Sequence, residues 1–470
     1  MRSLDALQKL TLFFLTAFFA VALTTGYWAV VRADDLNARN DNLRRLERER
    51  RVARGAMLAR DGETVLVETT FDEEGLAQRM YHMPALAPIT GVWSLRYGNS
   101  GLEAAYDEWL AGRKGEPFTQ LLDNLLHRPV RGYDLVLTVD PALQAEAVRL
   151  LGERRGAVVV SNVETGDILA LVSLPTYDPN TFEDDAEALQ QSPANPLLNR
   201  ATQGLYTPGS VFKIVTLAGA LAKGKTSLDE RWQDPNGIFF VNGFPIRDFE
   251  EPPQDEFDTA HALAYSSNVV FAQLGLRLGA DAMREAARAF GFGEPPPIAI
   301  EAEASRLGRD DFLLDDVGLA STAFGQGQVQ MTPLHVNLIT AAVARDGQLP
   351  RPRLVQAIRT ADGDTLQTIR PMTWKRAVSR RVAEQVREAM VVAARDGYAR
   401  AGAPACTAIG GKTGTAQLGG TLAPHAWFTA FAPAEQPRYA VTVLVENGGL
   451  GGDVAAPIAR RLIEMLVCTP

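Results

Sequence analysis

Ser210 and Lys213 stand three residues apart at the head of an apolar run, Ile214 to Leu221. That spacing puts both side chains on one face of a helix, one turn apart. The run is apolar nearly all round, so the helix should be buried. Ser210 could be a plain N-cap, but position 213 would then favour Glu or Gln. A lysine there opposes the positive end of the helix dipole. Stability does not select a cation at such a place, whereas chemistry can. Burial and the dipole disfavour the ammonium form and lower its pKa. A neutral amine beside a hydroxyl can take its proton and make the serine a nucleophile.

Two further segments offer matching chemistry. Ser266-Ser267-Asn268 follows a helix-like stretch, Thr259 to Tyr265, and precedes an apolar one, Val269 to Leu276. Ser266 and Asn268 could be turn or cap residues. Beside a serine–lysine pair they acquire a use: a second hydroxyl can relay a proton, and a carboxamide can hold both sides of a substrate amide. Gly410-Gly411-Lys412-Thr413-Gly414-Thr415-Ala416 is the third segment. It could be a loop. As a strand, its glycines mark close backbone approach, and a free edge would let an extended peptide pair with it. Lys412 would supply positive charge, and the hydroxyls of Thr413 and Thr415 could bind a carboxylate. The order SxxK, SxN, KTG, with first residues at 210, 266 and 412, is far more specific than any of the three alone.

These segments must be brought together by elements distant in sequence. Tyr133 to Val139 alternates like a strand, and Pro141 opens a helix at its first position. Ala157 to Val160 and Ile168 to Val172 flank the turn Glu164-Thr165-Gly166-Asp167, which predicts a hairpin in a buried sheet. Helical stretches dominate to about Arg345. Strand-like segments return at Trp427 to Ala432 and Tyr439 to Glu446. Strands at both ends with helices between predict one sheet assembled from distant pieces and packed against a helical region, an α/β (α+β) fold.

The 470 residues allow two to four domains, and 46% hydrophobic with 22% charged residues fits a folded globular chain. A net charge of −9 gives no reason to expect nucleic-acid binding. The histidines (His82, His127, His261, His335, His425) form no i, i+4 pair, and Cys406 and Cys468 form no CxxC. A protein-held metal is therefore not expected, nor is a nucleotide, for lack of a glycine-rich phosphate loop. No cofactor is expected. Leu10 to Val31 carries no charge and would span roughly 33 Å as a helix, about a bilayer core. Tyr27 and Trp28 suit its interfacial end. The run exceeds a usual signal core, so a retained anchor is expected over a cleaved leader. Arg2 and Lys9 precede it while Arg32, Arg39, Arg44 and Arg45 follow, so a plain charge count would put the large part in the cytoplasm, although long domains can translocate despite such charge. Residues 32–54 read as a solvated juxtamembrane helix or a contact with anionic lipid.

With these motifs in place, the chain resembles a class B penicillin-binding protein of the short-stalk type. Other segments agree: Arg54-Gly55 with Arg60-Asp61-Gly62 (lacking the usual Asn), Tyr97 to Glu103 (GxxGLE), Thr138 to Gln144 (TxDxxLQ), Thr165 to Ala170 (TGEILA), Tyr177 to Asn180 (YDPN), and Gly325-Gln326-Gly327 with Thr332-Pro333-Leu334 (GQG…TPL). The resemblance implies a penicillin-binding/serine β-lactamase-like transpeptidase domain with a five-stranded antiparallel sheet and a helical subdomain. It further implies a cytoplasmic tail at 1–9, an anchor at 10–31, a non-catalytic stalk at 32–132 and the transpeptidase domain at 133–470. The catalytic part would lie outside the cytoplasmic membrane as a single-pass protein.

The resemblance also implies a mechanism. Ser210 would attack the penultimate D-Ala carbonyl of a peptidoglycan stem peptide, with Lys213 as general base. Backbone N–H groups of Ser210 and Thr415 would hold the oxyanion. Ser266, with Lys213 or Lys412, would protonate the leaving D-Ala, and Asn268, Thr413, Gly414 and Thr415 would bind substrate. An amine of a second stem peptide would take the acyl group, and β-lactams would acylate Ser210 stably. About 100 residues between anchor and transpeptidase leave no room for a glycosyltransferase, so the family implies a separate SEDS-type glycan polymerase as partner. A D,D-carboxypeptidase or endopeptidase would use the same motifs with water as acceptor. A β-lactamase would need a deacylating carboxylate, and an idle penicillin-binding sensor or scaffold would not need the intact motifs. Cys406 and Cys468 could pair in an oxidising exterior.

Overall fold

The computed structural model describes residues 6–32, 50–114, 131–249, 253–417, 419 and 422–468. Most of the arginine-rich stretch and His127 lie outside the described residues. Helix α1, Ala6–Gly26, is long and apolar enough to cross a membrane, and none of it is buried. It begins before Leu10 and is followed by one wider turn, Tyr27–Val31.

The stalk begins with β1 (Met57–Leu58), β2 (Val65–Phe71) and β3 (Ala77–Tyr81), to which β4 (Asp134–Leu137) adds in parallel beside β1. Motif residues hold this part internally. Arg54 is buried and pairs with Glu103 at 2.8 Å and Asp107 at 2.8 Å, while Arg79 meets the same Glu103 at 2.6 Å. A buried carboxylate is tolerated because two guanidiniums satisfy it.

After β4, Asp140 caps α2 (Pro141–Leu151), accepting from the N–H groups of Ala142 and Leu143. The hairpin follows as β5 (Gly156–Asn162) and β6 (Ile168–Leu174). A region of short elements carries α3 (Lys213–Ala222), a small hairpin of β7 (Ile238–Val241) and β8 (Phe244–Arg247), then α4 (Thr259–Ala264) and α5 (Asn268–Leu278). The fully buried α6 (Pro333–Ala344) follows. Strands β9 (Val355–Arg359) and β10 (Thr365–Thr368) turn back to the stalk and complete a six-stranded sheet ordered β10-β9-β4-β1-β2-β3. Sequence periodicity did not suggest either strand, nor the β7–β8 hairpin.

The chain closes with α7 (Arg380–Arg395), β11 (Gly410–Ala416), β12 (His425–Ala432), β13 (Tyr439–Val445) and α8 (Ala455–Val467). The second sheet is antiparallel, five-stranded and ordered β11-β12-β13-β5-β6. Side chains alternate across it. Ala157, Val159, Trp427, Phe431 and Leu444 join the core on the α6 side. Val158, Val160, Phe428, Ala430, Val441 and Val443 join the core formed with α2 and α8. Both faces are covered, so these strands read as unbroken apolar runs. On α6, the buried Asn337 donates to the carbonyls of Val159 and Ala440 and accepts from Ser161 Oγ. Cys406 and Cys468 are bonded, Cα–Cα 5.8 Å, and tie the approach to β11 to the end of α8.

Candidate active site

Ser210 sits in a 3-10 turn, Gly209–Phe212, that leads straight into α3. Its side chain makes no capping bond; the N–H groups of this helix start are not what it serves. The turn is pressed onto β11. Gly209 has φ +55°, a region L side chains disfavour, and a Cβ there would come within 2.9 Å of the Thr415 carbonyl oxygen. A Cβ on Gly414 would meet the Pro208 carbonyl oxygen at 2.9 Å. Gly209 N donates to the Gly325 carbonyl at 2.9 Å, and Trp427 Nε1 donates to the Thr207 carbonyl at 3.0 Å. The GQG segment thus braces the turn that presents Ser210.

Lys213 is fully buried at the first turn of α3. Its Nζ lies 3.1 Å from Ser210 Oγ, 2.5 Å from the Ser266 carbonyl oxygen, 3.2 Å from Ser266 Oγ and 2.8 Å from Asn268 Oδ1. Burial pushes the Lys213 ammonium down to about 7, against opposing support from Asp248 and Asp234. Lys412, also buried, donates to Ser266 Oγ at 2.8 Å and to the Thr413 carbonyl at 3.0 Å. Burial, then the neighbouring Lys213, hold its pKa well below the usual lysine range.

The Ser266 turn joins α4 to α5. Ser266 has φ +59°, a strained conformation for a residue with a side chain, and the turn aims its hydroxyl between the two lysines. Ser267 caps α5, accepting from Val270 N at 3.0 Å. Asn268 Nδ2 donates to the Arg247 carbonyl at 2.8 Å while its Oδ1 faces Lys213.

Strand β11 lies at the edge of its sheet. Its Thr413 and Thr415 line a cleft of about 690 Å³ together with Ser210, Ser266 and Asn268. Lys213 and Lys412 stand behind that wall. Phe244 to Phe249, Tyr265 and Tyr398 also line the cleft. All five side chains anticipated as reactive (Ser210, Lys213, Ser266, Asn268, Lys412) therefore meet at one cleft, although they arise from three distant segments. Among the described residues, no three His, Cys, Asp or Glu side chains gather as metal ligands would. The sequence reading missed Asp234 and Asp248, which brace the Ser266 turn from behind, and the aromatic lining. The two acids lie in a stretch expected to be mainly helical, where scattered carboxylates mark a solvated face.

The sequence profile of the penicillin-binding protein transpeptidase domain matches residues 156–464, which hold all three motifs. The chain belongs to the penicillin-binding protein transpeptidase family. In this family member a second profile, the penicillin-binding protein A dimerisation domain, matches residues 54–134. The peptidoglycan D,D-transpeptidase PbpA of Mycobacterium tuberculosis is 36% identical, covering 98% of both chains. MrdA of Haemophilus influenzae, also named a peptidoglycan D,D-transpeptidase, is 32% identical over 78% of this chain and 62% of its own. The fold superposes on penicillin-binding protein A from M. tuberculosis, solved as a ceftriaxone acyl-enzyme complex, with TM-score 0.83 and 35% identity over 90% of this chain and all of that one. The imipenem acyl-enzyme complex of the same protein gives 0.82 at 36% identity. This class B penicillin-binding protein thus has relatives along its whole length, stalk included.

Proposed function

We propose that this penicillin-binding protein is a serine D,D-transpeptidase that cross-links peptidoglycan through an acyl-enzyme on Ser210. The activity is that of its named relatives. The observation that carries the residue roles is the position of Lys213 Nζ, 3.1 Å from Ser210 Oγ and held by Ser266 and Asn268. A neutral amine has two N–H groups and one lone pair. The N–H groups go to the Ser266 carbonyl and Asn268 Oδ1, which leaves the lone pair for the Ser210 hydroxyl. Ser210 Oγ attacks the penultimate D-Ala carbonyl as its proton passes to Lys213. Backbone N–H groups of Ser210 and Thr415 take the oxyanion; losing one such donor costs about 3–4 kcal/mol in comparable sites.

Ser266 Oγ, within reach of both lysines, delivers a proton to the departing D-Ala amine. Lys412 feeds that hydroxyl at 2.8 Å. Thr413, Gly414 and Thr415 on the free edge of β11 hold the extended donor peptide and its carboxylate. The acyl group then passes to the amine of a second stem peptide. A β-lactam enters the same route and stays on Ser210. Helix α1 anchors the chain in the cytoplasmic membrane, with the stalk and transpeptidase domain outside it. The Cys406–Cys468 bond suits an oxidising compartment. A separate SEDS-type glycan polymerase, supplying the strands to be cross-linked, is the expected membrane partner of this class.

Incubation with a fluorescent penicillin tests the core of this reading. Wild-type protein takes up label, and Ser210→Ala takes up none while unfolding at the same temperature. Label retained by Ser210→Ala would sink the assignment. Slow decay of the acyl-enzyme separates a transpeptidase from a β-lactamase. Cross-linked product from lipid-linked polymer separates it from a carboxypeptidase.

A further inference from the structure

Two carboxyl groups behind the cleft are left over by the mechanism above. Asp234 is buried, and its Oδ2 accepts from Ser267 Oγ at 2.6 Å. Asp248, half-buried after β8, has Oδ1 accepting from the backbone N–H of Asn268 at 2.5 Å and of Val269 at 3.1 Å. Asp234 serves the middle residue of the SxN turn, and Asp248 serves the two residues that follow Ser267. Between them they fix a turn whose first residue is in a strained conformation. Asp234 Oδ1 is buried and has no hydrogen-bond partner, and burial together with the Asp248 carboxyl disfavours the ionised form of Asp234.

A buried carboxylate oxygen without a donor is costly. Two neighbouring carboxyls resolve that cost by sharing one proton, since both cannot ionise easily side by side. We infer that Asp234 and Asp248 are positioning residues of the acylation step, an acid pair that clamps the SxN turn and, by holding one proton between them, limits the negative charge set against Lys213. The inference rests on the acyl-transfer reading of the cleft.

Three charged or titratable groups act on Lys213: Lys412 from β11, and Asp248 and Asp234 from the segment around the β7–β8 hairpin. Arg247 reaches the turn through its carbonyl, while its side chain is exposed. Burial and the Asp248 carboxyl push Asp234 up to about 7, in keeping with a retained proton near neutrality. Each negative charge favours the ammonium form of Lys213 and so works against its use as a base. A pair carrying one charge in place of two keeps part of the amine neutral where the enzyme must act. The same pair hydrogen-bonds the backbone that places Ser266 and Asn268 around that amine. Position and charge are therefore set by one device.

The test follows the rate of acylation by a fluorescent penicillin against pH in the full chain. Asp248→Ala removes the acceptor for two backbone N–H groups, and its acylation is expected to fall at least about tenfold. The isosteric double variant Asp234→Asn/Asp248→Asn keeps acceptor atoms but carries no charge. It folds if the pair is tolerant, and Asp248→Asn alone covers the case in which it does not. With the opposing charge gone, the acid limb of the profile is expected to move to lower pH by about one unit. Asp248→Asn alone should move the acid limb in the same direction by a smaller amount. An acid limb that stays where the wild type has it, or an Asp248→Ala variant that acylates at the wild-type rate, overturns the inference. Wild-type protein that takes up no label at all refutes the acyl-transfer reading instead, and the two failures are distinct.

Discussion

An amine that is to receive a proton must reach the reaction uncharged, and Lys213 has the surroundings for it. Among the described residues no carboxylate hydrogen-bonds it directly; its partners are two hydroxyls, a carbonyl and a carboxamide. Burial moves its pKa from 10.5 to about 7. The sign follows: below about 7 the ammonium dominates and cannot serve as base, and above it the neutral amine does. Acylation of Ser210 should therefore rise with pH through about 7 and level off. Lys213→Arg keeps a permanent charge, so its acylation should be lower by about 10²–10⁴-fold at every pH tested, with the rise near 7 abolished. A stopped-flow pH profile of both proteins checks this, and a rise that survives in the arginine variant assigns the base elsewhere. At this scale the sequence was informative where chemistry contradicts stability. A lysine in the first turn of a buried helix has no packing reason to exist, so Ser210 and Lys213 were legible. Asp234 and Asp248 were not, because acids scattered over a polar stretch have a solvated face as their ordinary meaning.

At the scale of elements, the strands of the central sheet were legible and the stalk sheet was only partly so. β5, β6, β12 and β13 are covered on both faces, and their apolar runs announce it. Strands β9 and β10 are short, and β10 is exposed throughout, so no periodic signal separates them from loops. The pairing of β9 with β4 is a long-range event that local pattern does not encode, and β10 pairs only with β9. The KTG strand illustrates the limit in another way. Gly410, Gly411 and Gly414 give it little intrinsic strand preference, and it is held by its neighbours: β12 on one side, the Ser210 turn against it, and the disulfide just upstream. That bond closes a sequence separation of 62 residues, for which chain entropy alone gives about 4 kcal/mol. Replacing Cys406 and Cys468 with serine should lower stability by up to that amount, measured as the denaturant midpoint. Because the bond anchors the entry to β11, penicillin acylation should become measurably slower in the same variant. An unchanged midpoint would mean that helix α8 holds this segment without the bond.

Over the whole molecule, the two sheets are not independent bodies joined by a linker. β4, at the junction between the two matched regions, lies between β1 and β9, and β9 itself comes from after the SxN motif. Several motif residues outside the cleft serve this junction. Gln144 exchanges two hydrogen bonds with the backbone of Leu171 and donates to the Ala85 carbonyl. Asn180 exchanges two with the backbone of Tyr81 on β3. Arg359 and Gln356 of β9 donate to the carbonyls of Gly62 and Arg60. Segments that resembled family signatures away from the catalytic serine therefore act as struts between stalk and catalytic part, which places the cleft at a fixed attitude to whatever the stalk contacts. A chain truncated to residues 133–470 should behave badly. It uncovers one edge of β4 and the apolar side chains that Met57, Leu66 and Val67 bury against the shared core, each worth about 1.5–3 kcal/mol when fully covered. The truncated protein should be insoluble, or unfold at least about 10 °C below the chain that starts near residue 50. Thermal unfolding of the two, with penicillin labelling as a check on folding, decides it: equal midpoints and equal labelling would show that the catalytic part stands alone and that the shared sheet only orients it.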